Sequence, residues 1–276
     1  MVEKNRGHRD VRCLCSLLGV SRSSYYAWCS RAESDHRRHD KLLMGAIVEL
    51  HQGFRRACGA RRVHQQLRQS GLSCSIRRVS RLMKEAGVHA STKGLYVWNP
   101  GRHAFYTSAS NVLAKDAPPS GEGQHRAGDF TYIRTPSGWL YHAVVLDLFS
   151  RRVVGWSFSR SRNAELTKSA LRMALSRQCP QPGCVFHSDQ GIEYAAHEYR
   201  DLVEQAGMRR KGNPLDNATV ESFFHTLKAE LVHQRRFANE IEAVARIVEY
   251  TDFYNRDRLR SGIEYKSPEE YIGACA

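Results

Sequence analysis

Three carboxylates stand where predicted strands end or predicted elements begin. Asp129 begins a strand-like run, Asp189 directly follows a short buried strand at 184–188, and Glu221 lies one turn into a helix that Asp216 is placed to cap. Sheet ends and helix starts meet where sites form in folds that combine a sheet with helices. Three carboxylates brought together would repel one another unless a cation lay between them.

A group of this kind would suit phosphodiester chemistry. Mg2+ prefers hard oxygen ligands and keeps several waters. Two such ions ~3.5–4 Å apart can activate a nucleophile and stabilise a leaving oxygen. Taken singly, each acid also has an ordinary explanation, since Asp189 could cap a turn and Glu221 could be a solvated helix residue. Spacing alone therefore leaves both explanations open.

The positive charge is concentrated in the first two-fifths of the chain. The 276 residues carry a net charge of +14, and residues 1–112 hold 20 Lys+Arg against 7 Asp+Glu, whereas residues 113–276 hold 22 against 21. A segregated excess favours a polyanion partner over a generic basic surface, because each neutralised phosphate releases counterions.

The basic region predicts two helix-turn-helix-like units. Residues 10–31 indicate two short helices around Gly19, with Ser21 as the N-cap of the second, although an ordinary helical hairpin with its aromatics in a core fits equally well. Residues 59–87 indicate a second unit with a cationic face. The residues predicted to contact DNA are Arg22, Tyr25, Arg61, Arg62, Arg77, Arg78, Arg81 and Lys84.

The rest of the chain indicates a sheet with helices. Three adjacent runs of strand formers on short connections predict an antiparallel meander, and helical runs follow. The predicted organisation is a helix-turn-helix-like segment, a second helical DNA-binding region, a linker, and a catalytic core with a C-terminal helix, at residues 1–39, 40–90, 91–125 and 126–276.

Several motifs, in order, resemble one family. They are Gly-Asp-Phe-Thr-Tyr-Ile, Leu-Asp-Leu-Phe-Ser-Arg-Arg-Val-Val-Gly-Trp, His-Ser-Asp-Gln-Gly-Ile-Glu-Tyr and Lys-Gly-Asn-Pro-Leu-Asp-Asn-Ala, at 128–133, 146–156, 187–194 and 211–218. The resemblance runs from about residue 11 to the C-terminus. It is to the second-reading-frame transposases of the insertion-sequence-three kind, within the retroviral-integrase superfamily.

The resemblance implies an α/β fold of the RNase H-like type: a mixed five-stranded sheet flanked by helices and preceded by an all-α region. It also implies a catalytic Asp-Asp-Glu triad, which falls on Asp129, Asp189 and Glu221. Two Mg2+ or Mn2+ ions would be bound there, and water and then a freed 3′-hydroxyl would attack DNA. Asp147 matches a structural acid of the motif, and Lys228, two turns past Glu221, could contact a phosphate.

The resemblance further implies double-stranded DNA as partner, both at element ends and in the target. Family members work with a first-frame helix-turn-helix protein, and holding two ends together predicts a homo-oligomer on DNA. No stretch approaches the ~20 apolar residues of a membrane span, and the N-terminus lacks an apolar signal region. We therefore expect a cytoplasmic bacterial protein that associates with the nucleoid when bound to DNA.

Two departures from the family pattern keep a second interpretation open. The segment 207–212 is short, leaving 31 residues between Asp189 and Glu221, and Arg126 replaces a tryptophan. The missing piece would belong to a core strand or to its exit loop. Its loss would pull the Glu221 helix out of register, and an error of ~1 Å can cost ~100-fold in rate. The chain could then be an inactive DNA-binding remnant. An RNase H-like nuclease without strand transfer is a third hypothesis, which leaves the basic N-terminus unexplained.

Overall fold

The computed structural model describes residues 10–91, 118–188, 191–212 and 218–275. Asp189, Asp216 and most of the predicted linker lie outside the described residues. Within the described part, no helix is long and apolar enough to cross a membrane.

Two short helices open the described chain, as predicted. Helix α1 spans Val11–Leu17 and α2 spans Arg22–Ser30, and the Ser21 side chain accepts a hydrogen bond from the Ser24 amide at 3.0 Å. This N-cap satisfies one of the amides that the first turn leaves without a partner.

Three longer helices form a separate small core. They are α3 (Asp35–Gly53), α4 (Ala60–Gln69) and α5 (Ile76–Glu85). Ser34 and Ser75 cap α3 and α5 through their side chains. The buried residues at helical spacing include Leu43, Ile47, Val63, Leu67, Val79 and Leu82. Helix α3 begins five residues before the predicted start, so the predicted boundary between residues 39 and 40 falls inside it.

A mixed five-stranded sheet forms the centre of the second half. Its strands are β1 (His125–Thr135), β2 (Gly138–Asp147), β3 (Val153–Ser159), β4 (Val185–Ser188) and β5 (Arg209–Gly212), in the order β3-β2-β1-β4-β5. The first three form an antiparallel meander, and β4 and β5 run parallel to β1. The predicted fold class is confirmed.

Helices cover both faces of this sheet. They are α6 (Ala164–Arg177), α7 (Ile192–Ala195), α8 (His197–Gln205), α9 (Ala218–Glu230), α10 (Glu240–Arg256) and α11 (Pro268–Cys275). On one face α9 and α10 bury Phe223 and Ile247 against the sheet residue Val144. On the other face α6 and α8 bury Leu171 and Val203. Each layer removes apolar surface from water, which is the main favourable term in folding.

The core strand before α9 is present, because Arg209–Gly212 form β5, and its exit loop lies outside the described residues. All four of its residues pair with β4, from Val185↔Arg209 to Ser188↔Gly212. The run Arg-Arg-Lys-Gly lacks the alternation of a typical strand, so its pattern predicts no strand there. The parallel edge of β4, rather than local propensity, selects the extended conformation.

Gly155 on β3 lies in close contact with α6. A Cβ there would lie 2.3 Å from the carbonyl oxygen of Ala170 and 2.6 Å from the amide nitrogen of Ala174. Both are backbone atoms, so neither can move aside without displacing the helix. We expect Gly155→Ala to lower the free energy of unfolding by about 3 kcal/mol, at the upper end of ordinary overpacking.

Denaturant unfolding followed by circular dichroism measures this loss. Gly45→Ala is the matched control, because Gly45 lies inside α3 with open space around it. There alanine should raise stability by up to about 1 kcal/mol through helix propensity. Equal stability of Gly155→Ala and the wild type would contradict the close strand–helix packing.

Arg126 on β1 is fully buried and only partly satisfied. Its Nη2 donates to the carbonyl oxygen of Gln178 at 2.7 Å, whereas Nε and Nη1 have no hydrogen-bond partner among the described residues. Burial lowers the pKa of the guanidinium, because a charge is poorly solvated there.

Replacing Arg126 with methionine should therefore stabilise the protein. Removing two unpaired buried donors and a desolvated charge is expected to raise the free energy of unfolding by about 1–3 kcal/mol. Thermal and urea unfolding test this expectation. Arg160→Met, at a largely exposed arginine, provides the control and should change stability by less than about 1 kcal/mol. If Arg126→Met were less stable than the wild type, the expectation that burial of this guanidinium destabilises the protein would be contradicted.

The helical region contacts the core through the turn that follows α3. Ala57 belongs to the same buried cluster as Phe223 and Ile247 of the core. Arg55 pairs with Glu249 of α10 at 2.9 Å, and Ser91 accepts a hydrogen bond from Gln234 at 2.9 Å. These contacts join the two parts through both apolar and polar groups.

Candidate active site and nucleic-acid surfaces

Asp129 lies on β1 where the pairing with β4 stops. The parallel ladder ends at Gly128↔Ser188, one residue before Asp129. The side chain is half-buried, and its Oδ1 accepts a hydrogen bond from the amide of Phe130 at 2.8 Å. A neighbouring strand thus ends beside this carboxylate, as at the sites of other open sheets.

The second predicted carboxylate, Asp189, lies outside the described residues. Ser188 precedes it in the sequence and ends β4 beside Gly128. Among the described side chains, no three His, Cys, Asp or Glu come close enough to hold a metal ion. The meeting of Asp129, Asp189 and Glu221 therefore stays a prediction.

Glu221 and Lys228 lie on helix α9, which packs along β1. Seven residues separate them, so they share one face of the helix, about 10 Å apart along its axis. Burial lowers the pKa of Lys228, and the charge of Asp129 acts in the opposite sense. The Lys228 ammonium lies 4.9 Å from the ring centroid of Tyr132, three residues past Asp129 on β1, so this part of α9 packs against the strand that carries Asp129. Glu221 itself is exposed in the first turn of α9.

Arg151 is a positioning residue for this helix, and the sequence analysis did not single it out. Its Nη1 donates to Oγ1 of Thr219 in the first turn of α9, at 2.5 Å. Its backbone adopts φ 64°, which is uncommon for a residue with a side chain. Arg151 lies within the motif at 146–156, and that motif was the signal available in the sequence. This hydrogen bond joins the β2–β3 turn to the first helical turn of α9, which also carries Glu221.

Both carboxylate oxygens of Asp147 accept hydrogen bonds from the protein. Its Oδ1 accepts hydrogen bonds from the amides of Phe149 and Ser150 and from the Ser150 hydroxyl, and its Oδ2 accepts from the Gly123 amide at 2.8 Å. The residue is fully buried. These contacts agree with the structural role that the motif implies, because they order the turn after β2.

Oxygen donors at this end of the sheet fit a hard divalent cation. Asp129 and Glu221 are carboxylates, and no thiol or imidazole is among the predicted ligands, which suits Mg2+ or Mn2+ better than zinc. Lys228 supplies a single positive charge nearby, which suits a phosphate placed between the helix and the strand.

Two of the arginines predicted to contact DNA are held by an acid within the helical region. Asp40 accepts from Arg78 Nε at 2.6 Å and from Arg81 Nη2 at 2.7 Å. The hydrogen bond from Arg81, followed by the effect of Arg78, lowers the pKa of Asp40 to about 2. Arg81 also pairs with Glu85. The structure therefore places Arg78 and Arg81 in an ion-pair network that links α3 to α5.

Arg62 and Tyr25 face the protein interior. Arg62 donates to the carbonyl oxygen of Ala57 at 2.9 Å and lies 3.8 Å from Glu230 of the core. Tyr25 is buried with Leu14 of α1. For Tyr25 the structure thus favours the alternative of an aromatic in the core of a helical hairpin.

The remaining predicted contacts lie on the surface. Four cations are exposed: Arg22, Arg61, Arg77 and Lys84. In α2 the exposed aromatics are Tyr26 and Trp28. The DNA contacts of these four cations stay predictions.

Comparisons with protein families match both parts of this architecture. An integrase core domain family matches residues 119–214, a second integrase core domain family matches residues 221–272, and an HTH-like domain family matches residues 38–94. The fold and the site thus define a protein with an integrase core behind an HTH-like domain.

Curated relatives match nearly the whole chain. It is 34% identical over 281 residues to transposase InsF of insertion sequence IS3A from Escherichia coli strain K12, which covers 98% of this chain and 96% of that protein. It is 36% identical over 263 residues to an uncharacterised 31 kDa protein of insertion element IS600 from Shigella sonnei, covering 94% and 97%. The chain belongs to the IS3 family of insertion-sequence transposases.

Solved structures similar to the chain include retroviral integrase cores. The catalytic core domain of HTLV-2 integrase in complex with magnesium matches 55% of this chain and 98% of its own length, with 16% identity and a TM-score of 0.44. The catalytic core domain of BIV integrase matches 55% of this chain and 95% of its own length, with 19% identity and a TM-score of 0.42.

Proposed function

We propose that this transposase catalyses metal-dependent DNA strand cleavage and strand transfer, with Asp129, Asp189 and Glu221 as its catalytic carboxylates. The observation that carries the proposal is the packing of α9 along β1. Lys228 lies 4.9 Å from the ring of Tyr132, three residues past Asp129, and Thr219 in the first turn of α9 accepts a hydrogen bond from Arg151 of the β2–β3 turn. Family membership supports the same chemistry. The ends of the insertion sequence and the target DNA are the substrates.

The reaction consists of two displacements at phosphorus. In the first, a water oxygen bonds to the phosphorus at the element end, the P–O3′ bond breaks, and the 3′-hydroxyl is freed as the water loses a proton. In the second, that hydroxyl attacks a target phosphodiester, and the target's own 3′-oxygen leaves. No covalent bond between protein and DNA is required.

The chain's residues would position the reacting groups. Lys228 is half-buried on α9 against Tyr132 of β1, the strand that carries Asp129, so its ammonium can hold a non-bridging phosphate oxygen near the carboxylates. Arg151 fixes the first turn of α9 through Thr219. Two Mg2+ or Mn2+ ions held by the three carboxylates would supply Lewis-acid stabilisation of the entering and leaving oxygens.

A strand-transfer assay tests this function. The full chain is incubated with pre-cleaved terminal DNA and a plasmid target, with Mn2+ and with EDTA. Joined products that require the metal, and that disappear in Asp189→Asn, support the proposal. DNA binding that falls with salt but yields no product would instead support the inactive remnant. Cleavage of an RNA–DNA hybrid without joining would support the nuclease.

Metal binding should also stabilise the folded protein. A cation that binds only the folded state adds about 2.7 kcal/mol when its concentration is 100 times its Kd, which corresponds to roughly 5–10 °C for a chain of this size. Melting temperatures with and without millimolar Mg2+, at constant ionic strength, measure the shift. Asp129→Asn should reduce it, and an unchanged melting temperature in the wild type would count against an intact site.

We propose two protein partners on DNA: a first-frame helix-turn-helix protein and further copies of this chain. Two element ends must be held together for transposition, so we propose a homo-oligomer on DNA in the bacterial cytoplasm. Size-exclusion chromatography with light scattering, with and without terminal DNA, measures its stoichiometry.

A further inference from the structure

The hairpin of β1 and β2 extends beyond the rest of the sheet. Strand β4 pairs with β1 only along residues 125–128, whereas β2 pairs with β1 as far as Thr135↔Gly138. Among the described strands, none therefore covers the second edge of residues 129–135. This open edge begins at Asp129 and leads away from the candidate active site.

A groove of about 550 Å3 lies between this hairpin and the end of α9. We call it the hairpin groove. Clefts of ~300–1,000 Å3 hold drug-sized ligands, so the groove is suited to about one or two nucleotides rather than to a duplex. Its lining residues include Tyr132, Arg134, Trp139, Lys228, Arg235 and Arg236.

Two large aromatic side chains are exposed in the hairpin groove. Tyr132 is 56% exposed and Trp139 is 46% exposed, and their rings meet edge to face with centroids 5.2 Å apart. Each ring has a cation near it: Arg134 lies 5.0 Å from the Trp139 centroid, and Lys228 lies 4.9 Å from that of Tyr132. Aromatic rings that remain exposed beside cations are the elements of a base-stacking surface.

The charged side chains that line the hairpin groove are all basic. No aspartate or glutamate lines it. Among the described residues, no carboxylate lies within salt-bridge distance of Arg134, Lys228, Arg235 or Arg236, in contrast to Arg78 and Arg81 of the helical region. An occupant with negative charge and flat apolar faces would complement both properties.

We propose that the hairpin groove binds unpaired nucleotides of DNA, with a base stacked on Trp139 and the backbone phosphates on Arg134 and Lys228. The inference rests on the proposed function, because the open edge leads from Asp129 and the strand in question would be that of an element end. Stacking tolerates any base, so we expect preference for unpaired structure rather than for sequence.

Fluorescence anisotropy with two labelled DNAs tests the inference. One is a blunt terminal duplex and the other is the same duplex with four unpaired nucleotides at the end. The wild-type chain should bind the unpaired end more tightly. Trp139→Ala should weaken that binding by about 10-fold, from ~1–3 kcal/mol per stacked base, and leave blunt binding within about twofold. Trp139→Phe should keep most of the preference, because phenylalanine retains a stacking face.

Two further variants complete the design. Ile241→Ala removes an exposed apolar side chain outside the hairpin groove and should bind both DNAs as the wild type does. Arg134→Gln should reduce the salt dependence of binding to the unpaired end by about one counterion. Melting curves establish that each variant is folded.

The outcomes separate this inference from the proposed function. Glu221→Gln should keep the preference for unpaired ends whatever its effect on strand transfer. The wild-type chain could prefer unpaired ends, lose that preference in Trp139→Ala, and yet show no strand transfer. That result would support nucleotide binding in the hairpin groove and contradict the proposed catalysis. Equal binding of both DNAs by the wild type, or loss of blunt and unpaired binding together in a folded Trp139→Ala, would overturn the inference, as would a groove that binds only RNA or protein.

Discussion

Glu221→Gln should abolish strand transfer without unfolding the protein. Glutamine has nearly the same shape but no charge, so it cannot balance a divalent cation. The loss of several kcal/mol of transition-state stabilisation corresponds to a fall in rate of at least about a hundredfold. Glu221 is exposed in the first turn of α9, so its replacement should alter stability little. Single-turnover joining of pre-cleaved ends in Mn2+ measures the effect.

A matched control separates charge at this position from charge in general. Glu269 also stands in the first turn of a core helix, α11, and is partly exposed. Glu269→Gln should join DNA ends at the wild-type rate. If folded Glu221→Gln joined DNA ends at the wild-type rate, Glu221 would not be a catalytic residue. The proposed triad would then lack its third carboxylate.

Glu230→Gln should cause the largest loss of stability among single substitutions in the core. Glu230 and Arg258 are 3% and 5% exposed, and they form a two-pronged ion pair with distances of 2.8 and 2.7 Å. Tyr250 donates a third hydrogen bond to Glu230 at 2.8 Å. Breaking a buried pair from one side leaves the other charge uncompensated, which costs about 3–5 kcal/mol.

The electrostatics of Arg258 support this expectation. Burial alone would lower the pKa of its guanidinium, but the hydrogen bonds and charge of Glu230 outweigh it and raise the pKa above the ordinary value. Glu230 also ends the helix that carries Glu221 and lies 3.8 Å from Arg62 of the helical region. The substitution should therefore loosen α9 and the contact between the two parts.

A double-mutant cycle tests the pair directly. Chemical denaturation is measured for Glu230→Gln, Arg258→Met and the double variant. If the buried charge is the cause, the double variant should recover much of the loss, since removing both charges leaves none unpaired. Additive losses would instead show that shape and packing, rather than charge, make these positions sensitive.

Asn255 shows how a sequence motif acquires its physical meaning only in the fold. The run Tyr-Asn-Arg at 254–256, at the end of α10, is a fifth stretch that fits the family pattern. In the structure the Asn255 side chain accepts from the Val153 amide at 2.9 Å and donates to the Val153 carbonyl at 3.0 Å. It therefore pairs with the outer strand β3 as a neighbouring strand would. A partner 102 residues away could not be inferred from the local pattern.

The sequence alone determined the elements that local chemistry encodes. The cap at Ser21, the apolar spacing of the N-terminal helices and the three-stranded meander follow from short-range propensity and periodicity. The family motifs determined the candidate carboxylates and the fold class. The local elements depend on residues close together in the chain. The carboxylates and the fold class depend on the resemblance of whole motifs.

Contacts between distant segments set which charged side chains remain available to bind DNA. Five arginines of the helical region look equivalent in the sequence: Arg61, Arg62, Arg77, Arg78 and Arg81. Folding brings acids or carbonyl groups to three of them, Arg62, Arg78 and Arg81. The structure likewise formed β5 from a run with no strand pattern and exposed Trp139 beside Arg134 in the hairpin groove. The physical reason is that ion pairing, burial and parallel strand pairing are set by contacts between distant segments, which local sequence does not specify.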